Sequence, residues 1–215
     1  MEPSGSDKSS KSTQGDIGYF GLEDWWLTAF TENERYYIQT KYKPLSYGSE
    51  NDSSGLTSGE VFYCTGTAIG LLTGLAGWFT KPDDRAIAHK ILDKAVELSK
   101  DASVLELHFL YSHMIEIYFM DRDQPEYREK TEHACRQQIA LAPDAAKAFK
   151  NKYPKSPLPS HTGYGQLEYL LQKEGRLQDA IALSRQAKSQ GWADRYDGWD
   201  QRIRRCERKL KKMGN

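Results

Sequence analysis

Apolar residues recur along this chain at spacings of three and four, as Ile87, Ile91, Leu92, Ala95 and Leu98 do, the period of one helix face. No alternating β-branched run survives beyond four or five residues, so strands are not expected. The pattern predicts a short aromatic helix over residues 21–30 (GLEDWWLTAF). A second starts at Thr31, where Thr31 and Glu34 have the spacing of a capping box, and ends near Pro44. Residues 46–59 (SYGSENDSSGLTSG) read as a polar linker, too poor in apolar side chains to pack. A glycine-rich helix running to Phe79 follows, then one beginning after Pro82 and one over residues 103–120. Another covers residues 125–141, with a short one after Pro143. The stretch PKSPLPS (154–160) is a proline-punctuated break, followed by three more helices, the last a charged one over residues 197–212. The fold class is all-α.

Residues 61–79 (VFYCTGTAIGLLTGLAGWF) carry no charge and reach the length a bilayer core demands, with Gly66, Gly70 and Gly74 at a spacing of four. Four glycines, three threonines and the lack of flanking basic clusters favour a buried helix of a soluble protein over a membrane span. Residues 1–16 have no apolar segment of the kind a signal peptide needs and read as a flexible tail. With 215 residues, 38% apolar and 28% charged, the chain has an ordinary globular composition, enough for one domain or two small ones. Its 30 basic and 30 acidic residues cancel, which argues against a protein whose whole surface grips nucleic acid or an anionic membrane. Three distant cysteines (Cys64, Cys135 and Cys206) without a CxxC pair fit a reducing compartment, and the expected location is cytoplasmic.

Residues 164–192 (YGQLEYLLQKEGRLQDAIALSRQAKSQGW) resemble a tetratricopeptide repeat, a 34-residue unit that pairs two helices through a large–small–large code. Tyr164, Leu167, Leu171, Gly175, Ala180 and Ala187 fall at the positions of that code. Shifted back by 92 residues, Leu72, Leu75, Ala76, Phe79, Ala88, Leu92 and Ala95 fill the corresponding slots. Small residues let the second helix sit close against the first, and large ones fill the remaining gap. Glu168 departs from the code at a small site, and Asp83 at a turn-glycine site. The pair between the two matches, over residues 103–142, reads as a degenerate or inserted unit. The resemblance implies a right-handed solenoid of helical hairpins over residues 60–215, with residues 17–45 as an N-terminal aromatic helical cap.

A second set of blocks (GLEDWWLTAFTENERYYI, LAGWFTKPDDRAIAHKIL, LPSHTGYGQLEYLLQKEGRLQDAI and the basic DGWDQRIRRCERKLKK) resembles a family of uncharacterised bacterial and prophage proteins. That likeness implies a tetratricopeptide-like fold, no assigned activity and no catalytic residues.

Candidate chemistry is sparse. His113 and Glu116 share a helix face without a third ligand, and His133 and Cys135 fall on different faces. No phosphate-binding glycine loop is present, and Asp121, Asp123 and Glu126 read as a solvated acidic turn. The expectation is therefore a non-enzymatic protein with no cofactor and no metal. The tetratricopeptide likeness implies a concave groove lined by the first helix of each pair. On the last repeat its groove positions are Thr162, Gly165, Tyr169, Gln172 and Lys173, a set suited to an extended peptide or a partner helix. Trp25, Trp26 and Phe30 form an aromatic set that either anchors an N-terminal helix or offers an interface.

Charge is uneven: residues 1–100 hold 10 basic and 14 acidic groups, residues 101–215 hold 20 and 16. Seven cations crowd the last helix, Arg202, Arg204, Arg205, Arg208, Lys209, Lys211 and Lys212. They read as a solubilising cap, with Arg204, Arg205, Arg208 and Lys209 as the phosphate contacts of the alternative, a nucleic-acid-associated factor. A helical enzyme ranks third. A protein partner is expected and a membrane is not. The glycine-rich helix and the Trp25–Trp26 pair are the two surfaces through which a homodimer could form.

Overall fold

Reciprocal side-chain caps set the starts of two helices. Thr31 Oγ1 accepts the Glu34 N–H at 3.2 Å while Glu34 Oε2 accepts the Thr31 N–H at 2.7 Å, and Ser103 and Glu106 repeat the arrangement. The computed structural model describes residues 15–44, 54–59, 61, 64 and 66–213, and among these it is helical, with no strand. An isolated bridge joins Ser160 and Ala193. Contacts divide the chain into two units, Met1–Leu71 and Leu72–Asn215.

The first unit contains α1 (Gly15–Tyr19), α2 (Glu23–Ala29), α3 (Glu32–Lys41) and a 3-10 turn at Ser54–Leu56. Ile17, Leu22, Trp26, Phe30, Ile38 and Leu56 are buried. The expectation of an unpacked linker over residues 46–59 fails at its end. Leu56 is fully buried, α1 packs on the 3-10 turn, and the Gly15 N–H donates to the Gly59 carbonyl at 2.9 Å. A single leucine supplies the apolar contact that the polar composition concealed. Residues 46–53 of that linker and residues 1–14 of the expected tail lie outside the described residues, and the tail's last two positions, Gly15 and Asp16, belong to α1.

α4 (Ala68–Ala76) crosses the division. It is shorter than the glycine-rich helix expected to reach Phe79: Thr67 Oγ1 accepts the Gly70 N–H at 3.1 Å where the helix opens, and the Trp78 and Phe79 N–H groups bond back only three residues, to the Leu75 and Ala76 carbonyls, where it ends. No helix among the described residues is long and apolar enough to cross a membrane. The second unit continues with α5 (Arg85–Glu97), α6 (Val104–Met120), α7 (Pro125–Lys152), α8 (Thr162–Lys173), α9 (Leu177–Ser189) and α10 (Trp199–Met213). α6 packs along α7, α7 against α8, α8 against α9 and α9 against α10, while α5 and α8 each also touch α6.

The residues assigned to packing slots in the two stretches likened to a repeat are buried, from Leu72, Leu75, Ala76 and Phe79 to Tyr164, Leu167, Ala180 and Ala187. α8 packs along α9 as a hairpin, whereas α4 does not pack along α5 in the same way. Gly175 turns α8 into α9 with φ of 77°, a conformation open to glycine at no steric cost. Two expectations are corrected in this unit. α7 does not stop at Leu141 but runs unbroken through Pro143 for 28 residues. The proline leaves one carbonyl without its helical partner, and the burial of Ala142, Ala145, Ala146 and Phe149 offsets that loss. Asp121 is not a solvated turn residue, since its carboxylate lies 2.6 Å from the Arg85 guanidinium and ties the end of α6 to the start of α5.

Gln138, fully buried on α7, joins three helices at once. Its Nε2 donates to the His108 carbonyl on α6 at 2.9 Å, and its Oε1 accepts the Gly163 N–H on α8 at 2.7 Å. Gly163 must come this close for the bond to form. A Cβ there would lie 2.8 Å from Gln138 Oε1 and 3.0 Å from the Cys135 carbonyl oxygen. Gly163→Ala is therefore expected to cost about 1–3 kcal/mol, the range for overpacking a tight interface. Gly165→Ala, whose Cβ would meet only Arg202 Nη2 at 3.6 Å, should instead gain about 0.5–1 kcal/mol from reduced chain entropy. Thermal unfolding of the two variants side by side checks the contrast.

Candidate functional site

α8 turns one face into the fold through Tyr164, Leu167, Leu170 and Leu171 and leaves Thr162, Gly165 and Tyr169 on another. Those three residues line a cleft of about 490 Å³, together with Phe119 of α6, the 194–197 segment, and Arg202 and Arg205 of α10. The Tyr169 ring stands edge-on to Phe119 at 5.6 Å, and Lys173 Nζ lies 5.5 Å from the Tyr169 ring centre. Arg122 covers the Phe119 ring at 4.2 Å, and Arg195, 3.1 Å from Glu116, lies 5.9 Å from the exposed Tyr196 ring. A hydrogen bond of 2.7 Å between Ser112 and Thr162 ties α6 to α8 at the edge of the cleft.

The floor is ionic. Arg202 Nη1 lies 2.7 Å from Glu168 Oε2 and 3.2 Å from the Gly165 carbonyl, while its Nη2 and Nε reach Asp194 Oδ1 at 2.9 and 3.0 Å. The side chains of Arg202, Glu168 and Asp194 are only 10, 1 and 2% exposed. Burial by itself would raise the Asp194 carboxyl and lower the Arg202 guanidinium. The pairing outweighs it and moves both the other way, holding Asp194 below and Arg202 above its ordinary range. Asp194 Oδ2 also accepts the Asp197 and Gly198 N–H groups at 3.1 and 2.9 Å, which fixes the wall that carries Tyr196.

Behind that wall, His108 stacks on Trp192 at 5.3 Å with an interplanar angle of 10°, and His161 meets the same indole edge-on at 4.7 Å. His161 Nδ1 accepts the Tyr164 N–H at 3.3 Å and so caps α8 in its neutral form. Desolvation pushes His108 down to about 4 and His161 down to about 3. His161 N–H to Ala193 O, Ala193 N–H to Pro159 O and Trp199 Nε1 to Trp192 O, the last at 2.7 Å, pin the segment from both sides.

The groove residues expected from the sequence divide. Thr162, Gly165 and Tyr169 line the cleft and Lys173 stands at its rim, with Tyr169 half-buried against Phe119 and left open to the cleft. Gln172 is turned away, donating to Glu168 and accepting Lys209 Nζ at 2.9 Å, because α10 approaches that side of α8. The aromatic set is no open patch. Trp26 and Phe30 are buried with ring centres 5.3 Å apart, and Trp25 is half-buried edge-on to Phe30. Of the proposed phosphate contacts, Arg205 pairs with Asp197 at 2.8 Å and Lys209 with Gln172, while Arg204 and Arg208 stand in solvent.

His113 Nδ1 contacts the Phe109 carbonyl and Glu116 pairs with Arg195, so the two do not converge. Among the described residues no three His, Cys, Asp or Glu side chains gather as metal ligands. Cys135 is buried and its thiol driven up by desolvation, and Cys206 is pushed up to about 11 by burial and then by Glu168. Phe119, Arg195, Tyr196 and the Asp194–Arg202–Glu168 bridge were not expected at the site. Glu168 was their one signal, since a carboxylate at a helix–helix contact requires a buried cation. No protein-family model matches the chain, and neither a curated protein nor a solved structure does so significantly.

Proposed function

We propose that this chain is a non-enzymatic adaptor or regulatory module, built as a tetratricopeptide-like array, that binds a peptide segment or helix of a partner protein in the cleft over α8. The carrying observation is that Thr162, Gly165 and Tyr169, positions the repeat code does not use for packing, line a concave site walled by Phe119 and Tyr196. Three features support the reading. Phe119, Tyr169 and Tyr196 in the cleft each have a cation near the ring, the shape of a site that takes an apolar side chain at its centre and polar backbone at its rim. The floor is held by interactions internal to the protein, which leaves the walls free for a partner. The consecutive α6–α7 and α8–α9 pairs pack as successive hairpins, the unit from which a solenoid is stacked.

Affinity capture from lysate, with and without nuclease, tests the proposal. A discrete protein partner retained after nuclease is expected. Tyr169→Ala should weaken it about 30-fold, as truncation of a central aromatic anchor does, and Lys173→Glu should weaken it less. Capture indifferent to both substitutions moves the interaction away from this cleft.

A further inference from the structure

α10 carries cations on two sides, and its packing separates those already engaged from those left to solvent. Arg202 is buried between Glu168 and Asp194, Arg205 is held by Asp197, and Lys209 donates to Gln172. The two carboxylates of the helix are held as well, Asp200 by Lys188 at 2.7 Å and Glu207 by Arg185 at 3.2 Å. Arg204, Arg208, Lys211 and Lys212 remain, all exposed and, among the described residues, outside any ion pair.

Arg204, Arg208 and Lys211 recur at four and three residues, so they form one row with steps of about 5–6 Å along the helix. With Gln201 and Glu207 they line a shallow groove of about 290 Å³. The helix dipole accounts for cations in the last turn, where Lys211 and Lys212 lie, but not for Arg204 and Arg208 further back.

The chemistry of the face narrows its occupant. The apolar side of α10 is already consumed: Cys206 is buried in the core, with Ile203 and Leu210 packed against it, so no apolar face remains to lie in a membrane surface. Trp199, the helix's one aromatic residue, is buried, which removes the stacking platform that single strands need. A row of guanidinium and ammonium groups carried on one helix face is left, and its positive charge complements the evenly spaced phosphates of a duplex. We infer that the outer face of α10 binds the phosphate backbone of double-stranded nucleic acid without reading its sequence. This surface is separate from the cleft and does not depend on the function proposed for it.

Fluorescence anisotropy of the full chain with a labelled DNA duplex of about 20 bp at about 50 mM salt tests the inference. Binding should be indifferent to sequence. Four phosphate contacts give a slope of log K against log salt of about −3.6, a loss of about 150-fold between about 50 and 200 mM. The triple variant Arg204→Gln, Arg208→Gln, Lys211→Gln should reduce the slope by nearly three units and abolish binding at the higher salt. Because all three side chains are exposed, the variant should unfold at the parent temperature. Lys147→Gln on α7, also exposed, should bind as the parent does. No duplex binding at low salt, binding that survives the triple variant, or capture of anionic vesicles in preference to duplex would each overturn the inference.

Discussion

Replacing Arg202 with alanine is expected to lower the stability of the Leu72–Asn215 unit by about 3–5 kcal/mol, the cost of breaking a buried ion pair by removing one partner. That corresponds to a fall of roughly 10 °C or more in Tm for a unit of this size. The guanidinium is the shared partner of two buried carboxylates, so its loss strands both Glu168 and Asp194 beneath the cleft. Glu168→Ala should cost less, because Arg202 keeps Asp194 and the Gly165 carbonyl. Combining Glu168→Ala and Asp194→Asn with Arg202→Met should recover much of the loss, since an apolar replacement no longer leaves a charge without its partner. Exposed pairs such as Lys147–Asp144 set the scale for comparison at about 0–1 kcal/mol. Thermal and urea unfolding of the series decide it. An Arg202→Ala loss in that surface range would mean that water reaches the bridge.

Acid should weaken the same unit well before its carboxylates protonate. In the unfolded chain His108 and His161 take up protons near pH 6.5, whereas in the fold burial delays this to about 4 and about 3. Between those values the unfolded state binds more protons, so stability falls as pH falls. The slope is about 1.4 kcal/mol per pH unit for each histidine, and the two together remove several kcal/mol between pH 6.5 and 4. Below that window Asp194, held low against burial by Arg202, adds a further loss as its carboxylate protonates. The double variant His108→Phe, His161→Asn should flatten the profile above pH 4. Phenylalanine keeps a ring against Trp192, and asparagine is a good N-cap for α8. Urea midpoints measured from pH 7 to 4 check it, and an unchanged slope in the double variant would remove the histidines from the account.

Much of the fold could be read from the chain because its signals are local. The spacing of Thr31 to Glu34 specifies a helix start within four residues, and the buried alanines and leucines of the two repeat-like stretches lie at helical periods. Two misreadings came from rules that hold for isolated helices. Pro143 ought to stop a helix, but tertiary burial on both sides of it carries α7 through. The polar run ending at Gly59 has little to bury, yet one leucine is enough to fasten it. Half of the cleft was legible, since Thr162 and Tyr169 follow from the repeat positions on α8. The other half comes from α6, the 194–197 segment and α10, distant in sequence, and no local pattern joins Phe119 to Tyr196 or Glu168 to Arg202. Arg202 itself looked like one more surface cation, because a run of arginines does not reveal which member points inward.

The Gln138 crosslink bears on how quickly and how tightly the cleft would engage the partner proposed for it. One amide sets the spacing of α6, α7 and α8 through two hydrogen bonds that close approach of Gly163 makes possible, so two of the cleft's walls start from a single arrangement. A binding site that is ordered before encounter loses little conformational entropy on association, and its complex forms without waiting for a rearrangement. Affinity in such a site tracks the contacts a partner makes, and lengthening or shortening this one side chain would change the association rate along with the fit.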